Sequence, residues 1–316
     1  MRVMVTGASG FVGRRLVSKL AHEGHQVLAV VRNPSFRPGV GVERILLPQM
    51  DMPSLSEGLG KHSVDVVINL AAAGVSPNDR DLAALTNTNA SQPPALVALA
   101  KDHGAVAFIH IGSSAEYGPL PGPTRYAERS PLECQKLYGA TKAAGTLLTM
   151  ASGTALGLPT ACLRLFNIFG PGESAHRLFP SLVSRLTRGE RVALSEGTQV
   201  RDFMHVDEAC SAIIHVLDSL VCSPTLAGIY NVATGQGHTV RDFAEKVADM
   251  VGKLELLDFG AIPLRADDLP YVVGDPSAFE EAFGWSPTLS YQDGVKAAVV
   301  EMQGLTSRCQ DGIIDG

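Results

Sequence analysis

Short, nearly unbroken apolar runs alternate along the first half of the chain with stretches where apolar residues return every three or four positions. The apolar runs predict strands over Arg2–Thr6, Gln26–Val31, Val64–Leu70, Val106–Ile111 and Thr160–Leu165. The spaced stretches predict helices over Phe11–His22, Asp79–Lys101 and Tyr138–Leu156. Strands that are apolar at every position, rather than at alternate ones, are buried on both faces, as in a parallel sheet covered by helices. The pattern therefore predicts a doubly wound, Rossmann-type α/β sheet.

After about Asn167 the pattern changes. Pro171, Gly172, Pro180, Gly189 and Gly197 interrupt it, and short strands such as Arg191–Leu194 and Ile229–Val232 separate helices. Thr239-Val240-Arg241-Asp242 and Ser290-Tyr291-Gln292-Asp293 have the spacing of capped helix starts. The expected division is a dinucleotide-binding unit over 1–166, a stretch over 167–305 that is mainly a smaller mixed α/β substrate-binding lobe, and a frayed polar tail over 306–316.

Composition narrows the class. With 45% hydrophobic and 18% charged residues in 316, the chain can bury a large core. A formal net charge of −6 argues against a general nucleic-acid or anionic-membrane surface, leaving room for locally placed arginines on a phosphorylated ligand. Five scattered cysteines form no C-x-x-C pair and no zinc spacing, so no metal is expected and reduced thiols are. The first strand starts at Arg2 and no apolar run is long enough to span a bilayer, which together predict a cytoplasmic protein.

Val3-Met4-Val5-Thr6-Gly7-Ala8-Ser9-Gly10-Phe11-Val12-Gly13 reads as strand, glycine turn and helix. Gly7 allows the tight turn, Gly10 lets a pyrophosphate approach the backbone, and Gly13 lets helix and strand pack. The helix N-terminus then offers unpaired N–H groups to the phosphates. The second strand ends Val30-Val31-Arg32-Asn33, with no carboxylate for the ribose hydroxyls of NAD. Arg32 suits a 2′-phosphate instead, so NADP is the expected cofactor, with NAD the alternative if Arg32 is an ordinary loop arginine.

Tyr138 and Lys142 stand four apart, on one helix face. A phenol titrates near ~10 and a neighbouring ammonium favours its phenolate, making it a usable proton donor and acceptor. Phe108-Ile109-His110-Ile111-Gly112-Ser113-Ser114 is a strand that delivers hydroxyls to its C-terminal end, where open α/β sheets bind ligands. Ser113 there can hold a substrate carbonyl or alkoxide; the simpler role for Ser113 and Ser114 is turn formation.

Taken together, these motifs resemble the extended short-chain dehydrogenase/reductase family in its nucleotide-sugar epimerase, dehydratase and 4-ketoreductase branch. The resemblance continues through Asp51-Met52, Asn69-Leu70-Ala71-Ala72, Asn89, Tyr117-Gly118, Arg164-Leu165-Phe166-Asn167, Gly170-Pro171-Gly172, Gln199-Val200-Arg201-Asp202-Phe203 and Gly284-Trp285. It implies catalytic roles for Ser113, Tyr138 and Lys142. Cofactor contacts are implied for Gly7, Ser9, Gly10, Phe11, Val12, Gly13 and Arg32. Further along, it implies Asp51 and Met52 at the adenine, Leu70, Ala71 and Ala72 at ribose and pyrophosphate, and additional contacts from Asn89, Tyr138, Lys142 and Leu165. On the substrate side it implies Ser113, Ser114 and Asn167, with Arg201 and Arg265 clamping a nucleotide diphosphate and Val192 against the base. Structural ion pairs of Arg201 with Asp202, or of Arg265 with Asp267 or Asp268, are the competing reading. Pairing of two long helices into a homodimer is also implied.

One departure separates the activities within the branch. Its dehydratases carry an acidic pair directly after the Ser113 position, where this chain has Ser114 and Ala115. Phe259–Arg265 is similar to ketoreductases that make 6-deoxyhexoses, abequose-type synthases included. The expectation is NADPH-dependent reduction of a nucleotide-linked 4-keto-6-deoxyhexose at C4. A 4-epimerase that retains NAD is the alternative, and a non-catalytic dinucleotide sensor on the same fold is the third reading.

Overall fold

The computed structural model describes residues 1–49, 51–75, 81–265 and 267–310, with side chains to 305. In the first half, β1 (Arg2–Thr6), α1 (Phe11–His22), β2 (Gln26–Val31), β3 (Val42–Leu46), α2 (Met52–Leu59) and β4 (Val66–Asn69) lead to α3 (Leu82–Leu85). A π-helical turn (Thr86–Ser91) joins α3 to α4 (Gln92–Asp102), followed by β5 (Ala107–Ser113), α5 (Leu137–Leu156) and β6 (Thr160–Leu165). The long helix expected over Asp79–Lys101 is thus three segments, and positions 79 and 80 lie outside the described residues. Asn89 falls in the π turn, whose wider winding gives its side chain a buried seat.

The second half runs β7 (Asn167–Phe169), α6 (Leu178–Thr187), β8 (Val192–Leu194), β9 (Val200–Arg201), β10 (Phe203–His205), α7 (Val206–Cys222) and β11 (Gly228–Val232). It ends with β12 (His238–Thr239), α8 (Val240–Val251), β13 (Leu257–Phe259), β14 (Tyr271–Val272), α9 (Ser277–Phe283) and α10 (Tyr291–Gln310). Both expected helix starts are capped: Thr239 Oγ1 accepts from Asp242 N at 3.0 Å and Ser290 Oγ from Asp293 N at 3.1 Å. The stretch expected as a tail begins inside α10, which runs to Gln310; 311–316 lie outside the described residues.

The main sheet has the order β11-β6-β5-β4-β1-β2-β3, and every pairing in it is parallel. Successive residues of a strand face opposite sides. Val3 and Val5 of β1 pack with Leu16, Val17 and Leu20 of α1, whereas Met4 packs with Leu96 and Val97 of α4. Both faces are dry, which is why the runs are continuous in sequence. The order reverses between β1 and β4, opening a crevice beyond their C-terminal ends, the place where such sheets take ligands. There the Thr6 hydroxyl donates to Asn69 Oδ1 at 2.6 Å, tying the two strand ends together.

One strand departs from the expected division. Ile229–Val232, placed in the lobe from sequence, belongs to β11 and pairs with β6 in the main sheet. The lobe is therefore assembled from chain on both sides of β11: α6 precedes that strand, and α8 and α10 follow it. It has its own core, built from α6, α8 and α10 around an aromatic group in which Phe203 and Phe243 stack at 4.1 Å.

Candidate active site

A cleft of about 490 Å³ opens at the switch point. Gly7, Ser9, Gly10, Phe11, Val12 and Gly13 line it, together with Arg32, Leu70, Ala71 and Ala72. Ser113, Tyr138, Lys142 and Leu165 complete the group of expected residues that meet there. The glycine loop is shaped for a close backbone approach. Gly7 has φ +68°, and a Cβ there would sit 2.7 Å from Leu70 C; a Cβ on Gly13 would lie 2.2 Å from Gly7 O. Side chains would fill this cradle, so the loop fits a dinucleotide pyrophosphate.

Tyr138 and Lys142 are carried by the first turns of α5, which is pressed against its neighbours. A Cβ on Gly139 would stand 2.1 Å from Ala115 O, and one on Gly145 would stand 1.8 Å from Asn89 O. The two glycines bring the helix against the Ser113–Glu116 turn on one side and the π turn on the other. Lys142 is 2% exposed and its Nζ donates to Ile111 O at 2.6 Å; burial lowers its pKa from the usual lysine value. Behind it, His110 is fully buried with Nδ1 facing Asn69 Nδ2 at 3.1 Å. Burial, then the Lys142 charge, hold its imidazole neutral, well below the usual histidine range.

Ser113 ends β5. Its Oγ accepts from Ala115 N at 3.1 Å, and its own N–H donates to Glu116 Oε1 at 2.9 Å. Glu116 also accepts from Thr146 Oγ1 at 3.0 Å and from Arg164 Nε at 2.7 Å. Arg164 Nη1 donates to Tyr117 OH at 3.0 Å, and Tyr117 OH donates to Asn231 Oδ1 at 2.6 Å. Burial pushes the Tyr117 phenol up to about 12. This buried polar chain fixes the turn that carries Ser113. Glu116 was not among the expected site residues, although Ser113-x-x-Glu116 is a capping-box spacing legible in the sequence.

A second cleft of about 410 Å³ adjoins the first and is lined by Asn167, Arg201 and Arg265. Arg201 pairs with Asp268 and donates to Val200 O at 2.7 Å. The partner considered for it, Asp202, is instead fully buried and accepts from Thr234 N at 2.9 Å, Thr234 Oγ1 at 2.7 Å and Gly235 N at 3.0 Å. Arg265 is exposed and has no ion pair among the described residues.

Five expected site residues do not line either cleft. Val192 is 3% exposed and belongs to the lobe core, with Leu194 and Ser195 on the wall instead. Asp51 caps α2, accepting from Ser54 N at 2.8 Å, and Met52 packs against the sheet. Asn89 is fully buried; it accepts from Ala73 N at 2.9 Å and donates to Ala73 O at 3.1 Å and Thr141 Oγ1 at 3.2 Å. It braces the strip that follows Ala72 rather than lining the cleft. Ser114 starts a short 3₁₀ turn. These side chains were assigned by motif position, which does not tell a wall from its support.

Comparison with known proteins agrees with the geometry. The model of the NAD dependent epimerase/dehydratase family matches residues 3–233. The chain belongs to that family. Among curated proteins it is similar to dTDP-glucose 4,6-dehydratase of Streptomyces griseus, 26% identical with 94% of this chain and 92% of that protein covered. It is similar to dTDP-6-deoxy-L-talose 4-dehydrogenase (NAD(P)(+)) of Kitasatospora kifunensis, 26% identical with 93% of each covered. Among solved structures, UDP-glucose 4-epimerase of Thermus thermophilus in complex with NAD is 27% identical, with TM-score 0.84, 96% of this chain and 99% of that chain covered. No described helix is long and apolar enough to cross a membrane.

Proposed function

We propose that this family member reduces a nucleotide-linked 4-keto-6-deoxyhexose at C4 with NADPH. The observation that carries the reading is the commitment of Glu116. It is the one carboxylate of the turn after β5, it is fully buried, and Arg164, Thr146 and the Ser113 amide occupy it. Neither Ser114 nor Ala115 supplies a carboxyl group, so the turn offers no acid and base for elimination of water, and reduction is what its hydroxyl serves.

The dinucleotide supplies the hydride when bound. Ser113 is placed to donate to the carbonyl oxygen, since its Oγ already accepts from Ala115 N and its own hydrogen is left for the ligand. Tyr138, which lines the same cleft, provides the proton that completes the alcohol. The ammonium of Lys142, anchored by Ile111 O, favours the phenolate that remains. Arg201, preoriented by Asp268, and Arg265 take the diphosphate, so binding energy remote from C4 orients the reacting carbon.

The NADP part of the reading rests on Arg32 at the end of β2 and on its surroundings. Arg14 lies 5.9 Å over the Phe36 ring with Nε on Ser9 O, and Arg37 and Arg44 bond Pro34 O. None of these arginines has an ion pair among the described residues. The competing 4-epimerase reading is favoured by the likeness to the NAD-bound epimerase structure. The reading also includes a homodimer, because α5 exposes Leu147 and Leu148 to about half.

The test is turnover of NADPH with a panel of nucleotide-linked 4-keto-6-deoxy sugars, followed as falling absorbance. Equilibration of 4-epimers of a nucleotide hexose with no nicotinamide added would replace the reductase reading by the epimerase one.

A further inference from the structure

Three residues, Ile168, Glu173 and Arg177, line both clefts. A ligand that reaches from Ser113 and Tyr138 to Arg201 and Arg265 has its middle against these three. In a nucleotide sugar that middle is the sugar ring itself.

Glu173 is the least satisfied of them. Its side chain is 8% exposed, and Oε1 accepts from Arg177 Nε at 3.1 Å. Oε2 is buried with no hydrogen-bond partner among the described residues. Burial pushes the acid up to about 6, and Arg177 offsets this only in part. A buried carboxylate oxygen left without a partner destabilises the fold, and such exceptions concentrate where a ligand later supplies the donor. The seat of the side chain is fixed by local structure. Glu173 N closes a turn on Gly170 O at 3.3 Å, and a Cβ on Gly172 would stand 3.8 Å from the Phe11 ring, so the turn rests on the phosphate loop.

We propose that Glu173 Oε2 accepts a hydrogen bond from a ring hydroxyl of the sugar, which makes Glu173 a specificity-determining residue for the sugar unit. The inference rests on the nucleotide-sugar reading above and goes beyond it by naming what the site demands of the ring. An ionised carboxylate only accepts. A sugar presenting a hydroxyl at this point is held; one presenting a deoxy carbon leaves the buried oxygen unpaired, and one presenting its own carboxylate meets like charge. Sites built to bond a hydroxyl reject the analogue that lacks it far more strongly than apolar pockets reject a missing methylene.

Glu173→Gln keeps the shape and removes the charge. Titration calorimetry of wild type and variant would use three probes: NADPH, a nucleoside diphosphate (UDP, dTDP or CDP, whichever wild type binds), and the same nucleotide carrying glucose. The variant is expected to bind the nucleotide glucose about tenfold more weakly, as for loss of a charged hydrogen bond, with NADPH and the bare diphosphate unchanged. Its apoprotein is expected to melt a few degrees higher at pH 8, because a buried charge is gone. Equal losses for the bare diphosphate and the nucleotide sugar would overturn the proposal in favour of a role through Arg177. A loss confined to NADPH would move Glu173 to the cofactor, and unchanged affinity for all three would remove it from the ligand. A lowered melting temperature would show a structural role and overturn it too. Failure of the wild type to bind any of the nucleotide sugars would strike the underlying reading instead, and is recognised without the variant.

Discussion

Glu116 and Arg164 form an ion pair at 2.7 Å with side chains 0% and 1% exposed. Oppositely charged groups so deeply buried hold together only when their remaining valences are filled, and here Ser113 N, Thr146, Tyr117 and Glu128 O fill them. Arg164→Leu leaves the carboxylate unpaired and is expected to cost about 3–5 kcal/mol, read by urea denaturation. In whatever fraction folds, turnover should fall more than NADPH affinity, because the damage reaches Ser113 first. A change below about 1 kcal/mol would mean that the pair is dispensable.

Tyr138→Phe removes one hydroxyl from the cleft wall. The variant is expected to bind NADPH as wild type does and to lose roughly 10²–10⁴-fold in turnover, the range for a positioned acid. Stopped-flow absorbance at saturating NADPH checks it. Unimpaired turnover would remove Tyr138 from the chemistry.

Arg32→Ala is expected to weaken NADPH by about ten- to a hundredfold while NADH changes little, since a charge-assisted bond contributes about 1.5–3 kcal/mol. Fluorescence titration with both cofactors decides it. Equal losses would shift the weight to Arg14, whose Nε is held by Ser9 O on the phosphate loop.

Asp207 receives Arg15 Nε at 2.7 Å and Lys19 Nζ at 3.2 Å, joining α7 to α1. The Arg15 hydrogen bond is the main cause that takes its pKa down from 3.8 to about 2. A lowered folded-state pKa means stability that is present above about 3.8 and is lost as pH falls through 2. Asp207→Asn should therefore cost about 1–2 kcal/mol at pH 7, a value reduced for partial exposure, and nothing below pH ~2. Melting curves of both proteins that run parallel from pH 7 to pH 2 would contradict this origin.

Leu147 and Leu148 are 50% and 48% exposed on α5. Light scattering at micromolar concentration is expected to return twice the chain mass, and Leu147→Glu combined with Leu148→Glu to return the single mass. A single mass for the wild type would leave the apolar pair to another partner.

The sheet was legible because its strands are buried on both faces. Gln26–Val31 and Thr160–Leu165 can be bounded from their apolar runs alone, and Phe11–His22 from the glycine turn before it. β3 was not legible: Val42-Glu43-Arg44-Ile45-Leu46 is an edge strand with two charged residues, and only its pairing to β2 makes it a strand. In the site, residues whose backbone or charge meets the ligand space were found by motif, as with Gly7, Tyr138 and Arg201. Glu116, which acts by filling other groups' valences, carries no distinctive spacing beyond the Ser113 capping box, whereas Asn89 was reached by motif but expected at the cofactor rather than as the brace on Ala73 and Thr141. Glu173 was missed for a different reason. Its significance lies in one oxygen with no partner, and only coordinates show that.

The return of β11 beside β6 has a consequence for dissecting the molecule. Residue 166 looks like a hinge between two units, and cutting there yields a fragment whose sheet ends at β6. That strand, Thr160–Leu165, is buried at every position in the intact chain. Deprived of Gly228–Val232, it presents an apolar row of unpaired N–H and C=O groups, the template on which other chains assemble. The fragment should then be recovered as aggregate, and solubility should return only when a segment reaching Val232 is supplied.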